Sequence, residues 1–446
     1  MSRIDPRGLA ALRIGLGTVL LVDLVGRYPL LAPFFTADGV MPPSLLWETD
    51  GWRHLLPHAL AGSLTGQQLL WVGAAGTALL LTLGWQTRWV LPLCWLLTLS
   101  THHRNPLLLD GGDTLLRLLL FWGMFLPLGD RWAVGPDRAE APPRNRVAEA
   151  ALLLQPVLMY LCAGLFKVLQ PEWRDGTAVA YVVQQLFWLN PAGAWLATWP
   201  SLMAPLTYAV VAVELVAPVL LIWPRPDPTW RWIGLGSLVV LQLGLGATIE
   251  LGLFPWIATL ALLPYLPAAA WDRVEAWRPR RASPTVTSEA APRADRARRP
   301  AAVLATLALA LVLLVNIESF SPPPRPIDRL ADVIGLAQSW TMYDAPGQSE
   351  AHLFIDGGAP EESGWLVSGH AAATRAGLPV SYRTKNYLEW MTEPDFDADA
   401  ALAAWVCRKS GPARETVTLQ VVTRHLRTDG QAATITTDAP RGYDCP

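Results

Sequence analysis

Lys167 stands in the stretch YLCAGLFKVLQPEW, where little else is ionisable. An amine desolvated in apolar surroundings loses part of its preference for the charged form and can then act as a base. Glu214 is central in another apolar run, and a carboxylate there needs a partner or a proton. Gln242 and Glu250 sit toward the end of a third run. The stretch THHRNPLLLDGGDT at 101–114 gathers His102, His103, Arg104, Asn105, Asp110 and Asp113 between two oily segments, and Arg117 follows Asp113 by one helical turn. The 101–113 stretch, Lys167, Gln242 and Glu250 map to a common depth, and a pocket that collects them, with Glu214 and Arg117, would take an amphipathic substrate, a lipid-like molecule or a membrane-proximal peptide.

Each group also has a structural reading. Lys167 near a helix end can snorkel to headgroups. Asp113 and Arg117 can form an ion pair that only supports packing, Arg13 can pair with a carboxylate, and Glu214 can be a neutral, hydrogen-bonded packing residue. His102 and His103 can cap a helix, and Asp113-Thr114 can cap the next one after the Gly111-Gly112 turn. No HExxH or CxxC spacing points to a metal.

The elements that must position these residues read as membrane helices. Of 446 residues only 16% are charged and 52% are hydrophobic, where a soluble domain carries about 25% charged residues. Mean hydropathy is +0.28. The net charge of −2 says little about partners, and no basic stripe points to nucleic acid. A crossing needs roughly 20 apolar residues. Nine candidate spans lie at about 8–27, 67–86, 89–103, 114–130, 148–170, 202–223, 233–252, 255–270 and 301–317. The third and eighth are short, and 178–199 reads as interfacial. The N-terminal run, followed by Asp23 and Arg27 without a small-x-small site, reads as the first span rather than a cleaved signal. Most of the 22 Trp should belong to interfacial belts.

Arginine sets the expected orientation. Arg3 and Arg7, Arg88, the 131–146 loop, Arg225 and Arg231, and the arginine-rich 271–300 linker all fall on one side after nine crossings. That side is the cytoplasm, so the N-terminus is inside and the C-terminus outside. The linker reads as a membrane-hugging loop with lipid as its partner. Cys407 and Cys445 then lie in an oxidising space and are expected to pair, while Cys94 and Cys162 sit in apolar runs. After the SPPPRP tract, HLFIDGG, GWLVSG and ETVTLQVVTRH read as strands and DADAALAAWVCRKS as a helix with Asp397 or Asp399 near its N-cap. The expected fold is an all-α polytopic membrane bundle with a small C-terminal α+β extracytoplasmic domain. Its parts are a membrane domain at 1–270, a cytoplasmic basic linker at 271–300, a final transmembrane helix at 301–320 and a soluble domain at 321–446.

Several segments together carry a resemblance. PRGLAALRIGLGTVLLVDLVGRYPLLAPFFTADGVMP, HHRNPLLLDGGDTLLRLLLFWGMFLPLGDRWAV, YLCAGLFKVLQPEWRDGTA, LQLGLGATIELGLFPW and GLAQSWTMYDAP resemble, in this order, segments of the horizontally transferred transmembrane (HTTM) proteins, bacterial relatives of vitamin K-dependent γ-carboxylase. The resemblance implies a multi-pass protein of the bacterial cytoplasmic membrane. It places Lys167 at the carboxylase's base, beside Trp173, and implies a reduced, vitamin K-like quinone as cofactor. In that family the lysine deprotonates the hydroquinone, oxygenation makes a stronger base, and that base takes a proton from glutamate before CO2 adds. This sequence carries Gly111, Gly112 and Asp113 where the family has Asn-Asn-His, and Gln242 where it has a later histidine. Two functions are therefore expected. One is a carboxylase-like membrane enzyme with Lys167 as base, Asp113 as second catalytic residue and Glu214 in support. The other is a non-catalytic maturation or export helper for a secreted peptide or protein. A transporter is disfavoured, because no internal repeat is visible.

Overall fold

The computed structural model describes residues 4–47, 51–134, 145–224, 227–276, 294–323, 325–341, 347–357, 368–393, 398–411, 414–429 and 431–445. The long helices are α1 (Pro6–Arg27), α2 (Leu64–Leu83), α3 (Thr87–Arg104), α4 (Gly111–Gly123), α5 (Arg146–Leu169), α6 (Met203–Ile222) and α7 (Thr229–Thr248). They continue with α8 (Phe254–Leu260), α9 (Ala268–Ala276) and α10 (Ala294–Glu318). Their starts follow the sequence. Asp5 caps α1 with Pro6 at its first position, Ser63 caps α2, and Asn145 accepts from the first amides of α5.

Among the described residues, six helices are long and apolar enough to cross a membrane, or seven if the pair 254–265 and 268–276, bent by 102°, forms one span. All nine expected segments contain helix, yet α3 and α4 do not qualify. α3 holds Pro92 and ends in His102, His103 and Arg104, and α4 has only 13 residues. The expected interfacial stretch contains two short helices, Ala178–Val182 and Pro191–Ala197. The bundle core runs through α1, α4, α5, α7, α8 and α10.

After α10 comes α11 (Pro326–Val333), then a stretch without helix whose Leu336, Gln338 and Trp340 are buried in the bundle. A buried backbone outside helix or sheet must find partners elsewhere. Arg117 supplies them, donating to the carbonyls of Gly335 (2.9 Å) and Ala337 (3.1 Å). Gln338 accepts from Gln155 and Trp340. The resembling motif at 335–346 thus plugs the bundle through its first half; residues 342–346 lie outside the described set.

The C-terminal domain pairs strand β1 (Ser349–Ile355) antiparallel with β2 (Thr416–His425). The other edge of β2 is shared by β3 (Thr434–Thr437) and β4 (Arg441–Asp444). Helices α12 (Ser368–Arg375), α13 (Tyr382–Trp390) and α14 (Asp399–Ser410) complete it. Two of the three expected strands are β1 and β2, and the expected helix is α14. Of the third expected strand, 364–367 lie outside the described residues and Ser368 opens α12; Asp397 also lies outside them, and the N-cap of α14 is Ala398. Cys407 and Cys445 form a disulfide, 38 residues apart in sequence, fastening the end of β4 to α14. The domain's core is continuous with residues of the helical part: Leu353, Tyr387 and Leu402 share one cluster with Phe34, Phe35 and Leu108.

Closing a loop of this length restricts the unfolded chain by about 4 kcal/mol. The double substitution Cys407→Ser/Cys445→Ser should therefore lower the thermal midpoint of the C-terminal domain, read by circular dichroism in detergent. Loss of the gel shift on reduction should accompany it.

Candidate functional site

Tyr160, Ala163 and Lys167 recur along α5 at spacings that place them on one face. That face looks into a cavity of about 670 Å³ between α5, α6 and α7. Its walls are mostly apolar. The polar groups of interest are Lys167, Glu214, Tyr160 and Gln242. Lys167 Nζ lies 3.0 Å from each carboxylate oxygen of Glu214, and both side chains are buried. The indole of Trp173 lies 5.3 Å from the same nitrogen. Lys167 is therefore not snorkelling. The pair is possible because Gly164 stands one turn earlier: a Cβ there would come within 2.8 Å of Leu215 and 3.1 Å of Glu214 Cβ, so glycine sets how closely α5 and α6 approach.

Gln242 is 1% exposed. Its Nε2 donates to the Tyr160 hydroxyl at 2.9 Å, while its Oε1 has no partner among the described residues. A buried amide oxygen without a partner on a cavity wall can accept from a molecule in the cavity. The cavity also reaches the surface. Gly234 packs α7 against Ala217 of α6, but toward the other end Ala209, Gly236, Val240 and Gly244 line the cavity and are exposed, and a Cβ at Gly236 or Gly244 would meet nothing within 4 Å. The opening lies between two helices that qualify as spans.

The expected pocket residues divide into two groups. Lys167, Trp173, Glu214 and Gln242 line this cavity; none of residues 101–117 does, and neither does Glu250. The recess expected to unite Lys167 with the 102–113 stretch is not formed, because equal depth along the bundle leaves position around it free. The polar stretch serves the seam with the C-terminal domain instead. Asp113 closes a capping box with Asp110 at the start of α4 and is gripped by Arg27 and Arg383. Arg383 reaches in from α13 and also contacts Asp23 at 2.7 Å. His102 stands between Asp113 (3.5 Å) and Arg117 (3.4 Å). No ion pair joins Asp113 and Arg117 among the described residues; Arg117 is taken by the carbonyls of 335 and 337. Arg104 donates to the carbonyls of Phe35, Thr36 and Met41, and Asn105 caps the turn at Leu107 while holding Phe34 O. His103 lies against Trp52 and 3.9 Å from Asp332. Glu250 pairs with Lys385 at 2.6 Å. Arg13 donates to Trp132 O and meets no carboxylate among the described residues.

Sequence reasoning missed Tyr160, Arg383, Lys385 and the role of Asp23 with Arg27. The last pair had a signal, an i,i+4 spacing on α1; the others had none. Tyr382 completes the seam. Its ring covers Gly252, whose φ of +53° and lack of a side chain admit it, and its hydroxyl donates to Asp110 at 2.7 Å. Burial, and then the neighbouring Asp113 carboxylate, push the Asp110 carboxyl up to about 6. Among the described residues no cluster of His, Cys, Asp and Glu could hold a metal ion. No protein-family model, curated protein or solved structure matches the chain.

Two outcomes follow from these charges. Removing one member of a buried pair strands the other, at a cost of about 3–5 kcal/mol, whereas replacing both by apolar groups is often neutral. Lys167→Met or Glu214→Leu alone should lower the thermal midpoint in detergent, and the double variant should recover most of the loss. For Asp110, the folded state binds the proton more tightly than the unfolded chain does. The stability it contributes is full below the ordinary carboxylate range near 3.8 and is lost as pH rises through about 6. Asp110→Asn should remove a pH-dependent contribution on the order of 3 kcal/mol between those values, seen as a change with pH in the difference between parent and variant midpoints.

Proposed function

We propose that this chain is a multi-pass membrane enzyme of the γ-carboxylase-like HTTM type, with Lys167 as base in a site for a lipid-soluble ligand. The observation that carries this reading is the buried Lys167–Glu214 pair on the wall of a largely apolar cavity. Nine crossings, a cytoplasmic N-terminus and an extracytoplasmic C-terminal domain belong to the proposal. Six long apolar helices, the one-sided arginines and the C-terminal disulfide support them.

In this orientation the opening between α6 and α7 faces hydrocarbon, so a ligand reaches the cavity from the bilayer. A ring with oxygen substituents and an apolar tail fits what the residues offer: apolar walls, a charged pair, and the unpartnered Gln242 Oε1 for a hydroxyl. A reduced quinone of this kind, when bound, supplies reducing equivalents and an acidic hydroxyl. The chain's own part is proton handling. With its proton passed to Glu214 at 3.0 Å, the Lys167 amine is neutral and can accept a proton from a donor in the cavity. The resulting ammonium is then stabilised by the negative charge left on the donor, while Glu214, holding the transferred proton, stays neutral. Gln242, fixed by Tyr160, orients the donor, and Trp173 shields the amine from water. Asp113, held by two arginines at the domain seam, is left out of this chemistry.

Mass spectrometry of lipids extracted from the purified protein tests the reading. A co-purifying quinone or similar ring-and-tail lipid is expected, reduced at least about tenfold in a Lys167→Met/Glu214→Leu variant that stays folded. A parent protein that carries only bulk phospholipid contradicts it. A retained peptide instead, bound to the C-terminal domain, would favour the maturation or export helper.

A further inference from the structure

The cavity wall nearest the C-terminal domain is the segment 170–190, which contributes Trp173, Val179, Val182 and Val183. Its helices, Pro171–Arg174 and Ala178–Val182, are four and five residues long. Helices this short have little stability of their own, so the segment takes its conformation from what holds it. Thr207 and Tyr208 of α6 hold Val179, Gly176 and Arg174 from the bundle side, and four side chains of the C-terminal domain hold the segment from the other. Gln348 Nε2 donates to Glu172 Oε1 at 2.9 Å, and Arg424 Nη1 donates to the carbonyl of Gln184 at 2.8 Å. Glu350 Oε1 accepts from the Phe187 amide at 2.7 Å. Lys385 Nζ donates to the Phe187 carbonyl at 2.8 Å while pairing with Glu250. On its inner side the same segment lays Trp173 over Lys167.

We infer that residues 170–190 form a lid over the Lys167–Glu214 pair, strapped shut by Gln348, Glu350, Lys385 and Arg424, and that release of the strap admits a water-borne reactant from the side of the C-terminal domain. This rests on the cavity being a ligand site, and it gives that site a second access. The gap between α6 and α7 serves the lipid-soluble ligand; the lid serves a polar one. Two distinct anchorages make the device workable. Arg383 fixes α13 among Asp23, Asp113 and the carbonyl of Leu108. The strap contacts are separate from it and engage loop backbone at three of their points. Such contacts can open locally while the domain stays docked.

The test uses the full chain in lipid nanodiscs, with Cys94→Ala and Cys162→Ala to remove the free thiols and Val183→Cys as reporter. The probe is a membrane-impermeant quaternary-ammonium methanethiosulfonate. Labelling should be slow with the strap intact and roughly tenfold faster or more after Lys385→Ala/Arg424→Ala. Equal rates in the two proteins, with the Cys407–Cys445 disulfide intact in both, overturn the inference; so does rapid labelling of the strapped protein. Hydrogen exchange on the unsubstituted protein guards against a strap variant that fails to fold. Amides of 173–188 should exchange faster than those of α5, and equal protection of the two contradicts a lid. Absence of a co-purifying lipid would defeat the ligand reading without changing the labelling rates. Unchanged labelling in lipid-loaded protein would defeat the lid alone.

Discussion

A charge taken out of water must be met by another charge or by several dipoles, and that requirement organises this molecule. Lys167 and Glu214 meet each other across α5 and α6. Asp23, Arg27, Asp113 and Arg383 meet one another where the membrane domain receives the C-terminal domain. Buried pairs add little net stability, because desolvation consumes most of their attraction, but they punish any arrangement that separates the partners. Each therefore fixes a register: the first sets α5 against α6 at the cavity, the second sets α13 into the top of the bundle.

The two clusters differ in what they leave over. In the seam Asp113 is shared by two arginines and by its own capping box, and Arg104 and Asn105 are occupied with loop carbonyls. In the cavity Lys167 and Glu214 border open space, and Gln242 keeps an unused acceptor. Chemistry needs a group with capacity remaining beside a space for a reactant. The second arrangement provides both at a cavity large enough for a reactant, although the first contains more ionisable residues.

That contrast also explains what the sequence could disclose. Hydropathy located α1, α2, α5, α6, α7 and α10, because a long apolar run has few alternatives to helix. Strand alternation and a late pair of cysteines revealed β1, β2 and the disulfide. Lys167 stood out by its cost in an apolar run. Depth along a helix, however, is a single coordinate. Lys167 and the 102–113 stretch share it and still face different parts of the bundle. Nor could local spacing assign partners. Arg117 is one turn from Asp113, but the non-helical backbone of 335–337 needed donors more, and Arg383 arrives from a different domain to take Asp113. Gly164 and Gly252 permit close approaches, and their purpose is visible only once the opposing residues, Leu215 with Glu214 and Tyr382, are in place.

Lys167, paired with Glu214, should face a ligand cavity that opens between α6 and α7 rather than acyl chains or bulk solvent. A cryo-electron microscopy map of the protein in lipid nanodiscs tests it most directly. Elongated density between α5, α6 and α7, with its polar end within hydrogen-bonding distance of Lys167 Nζ and Gln242, is the predicted result. A collapsed space with no density, or a Lys167 side chain turned away from Glu214 into acyl chains or water, would contradict it.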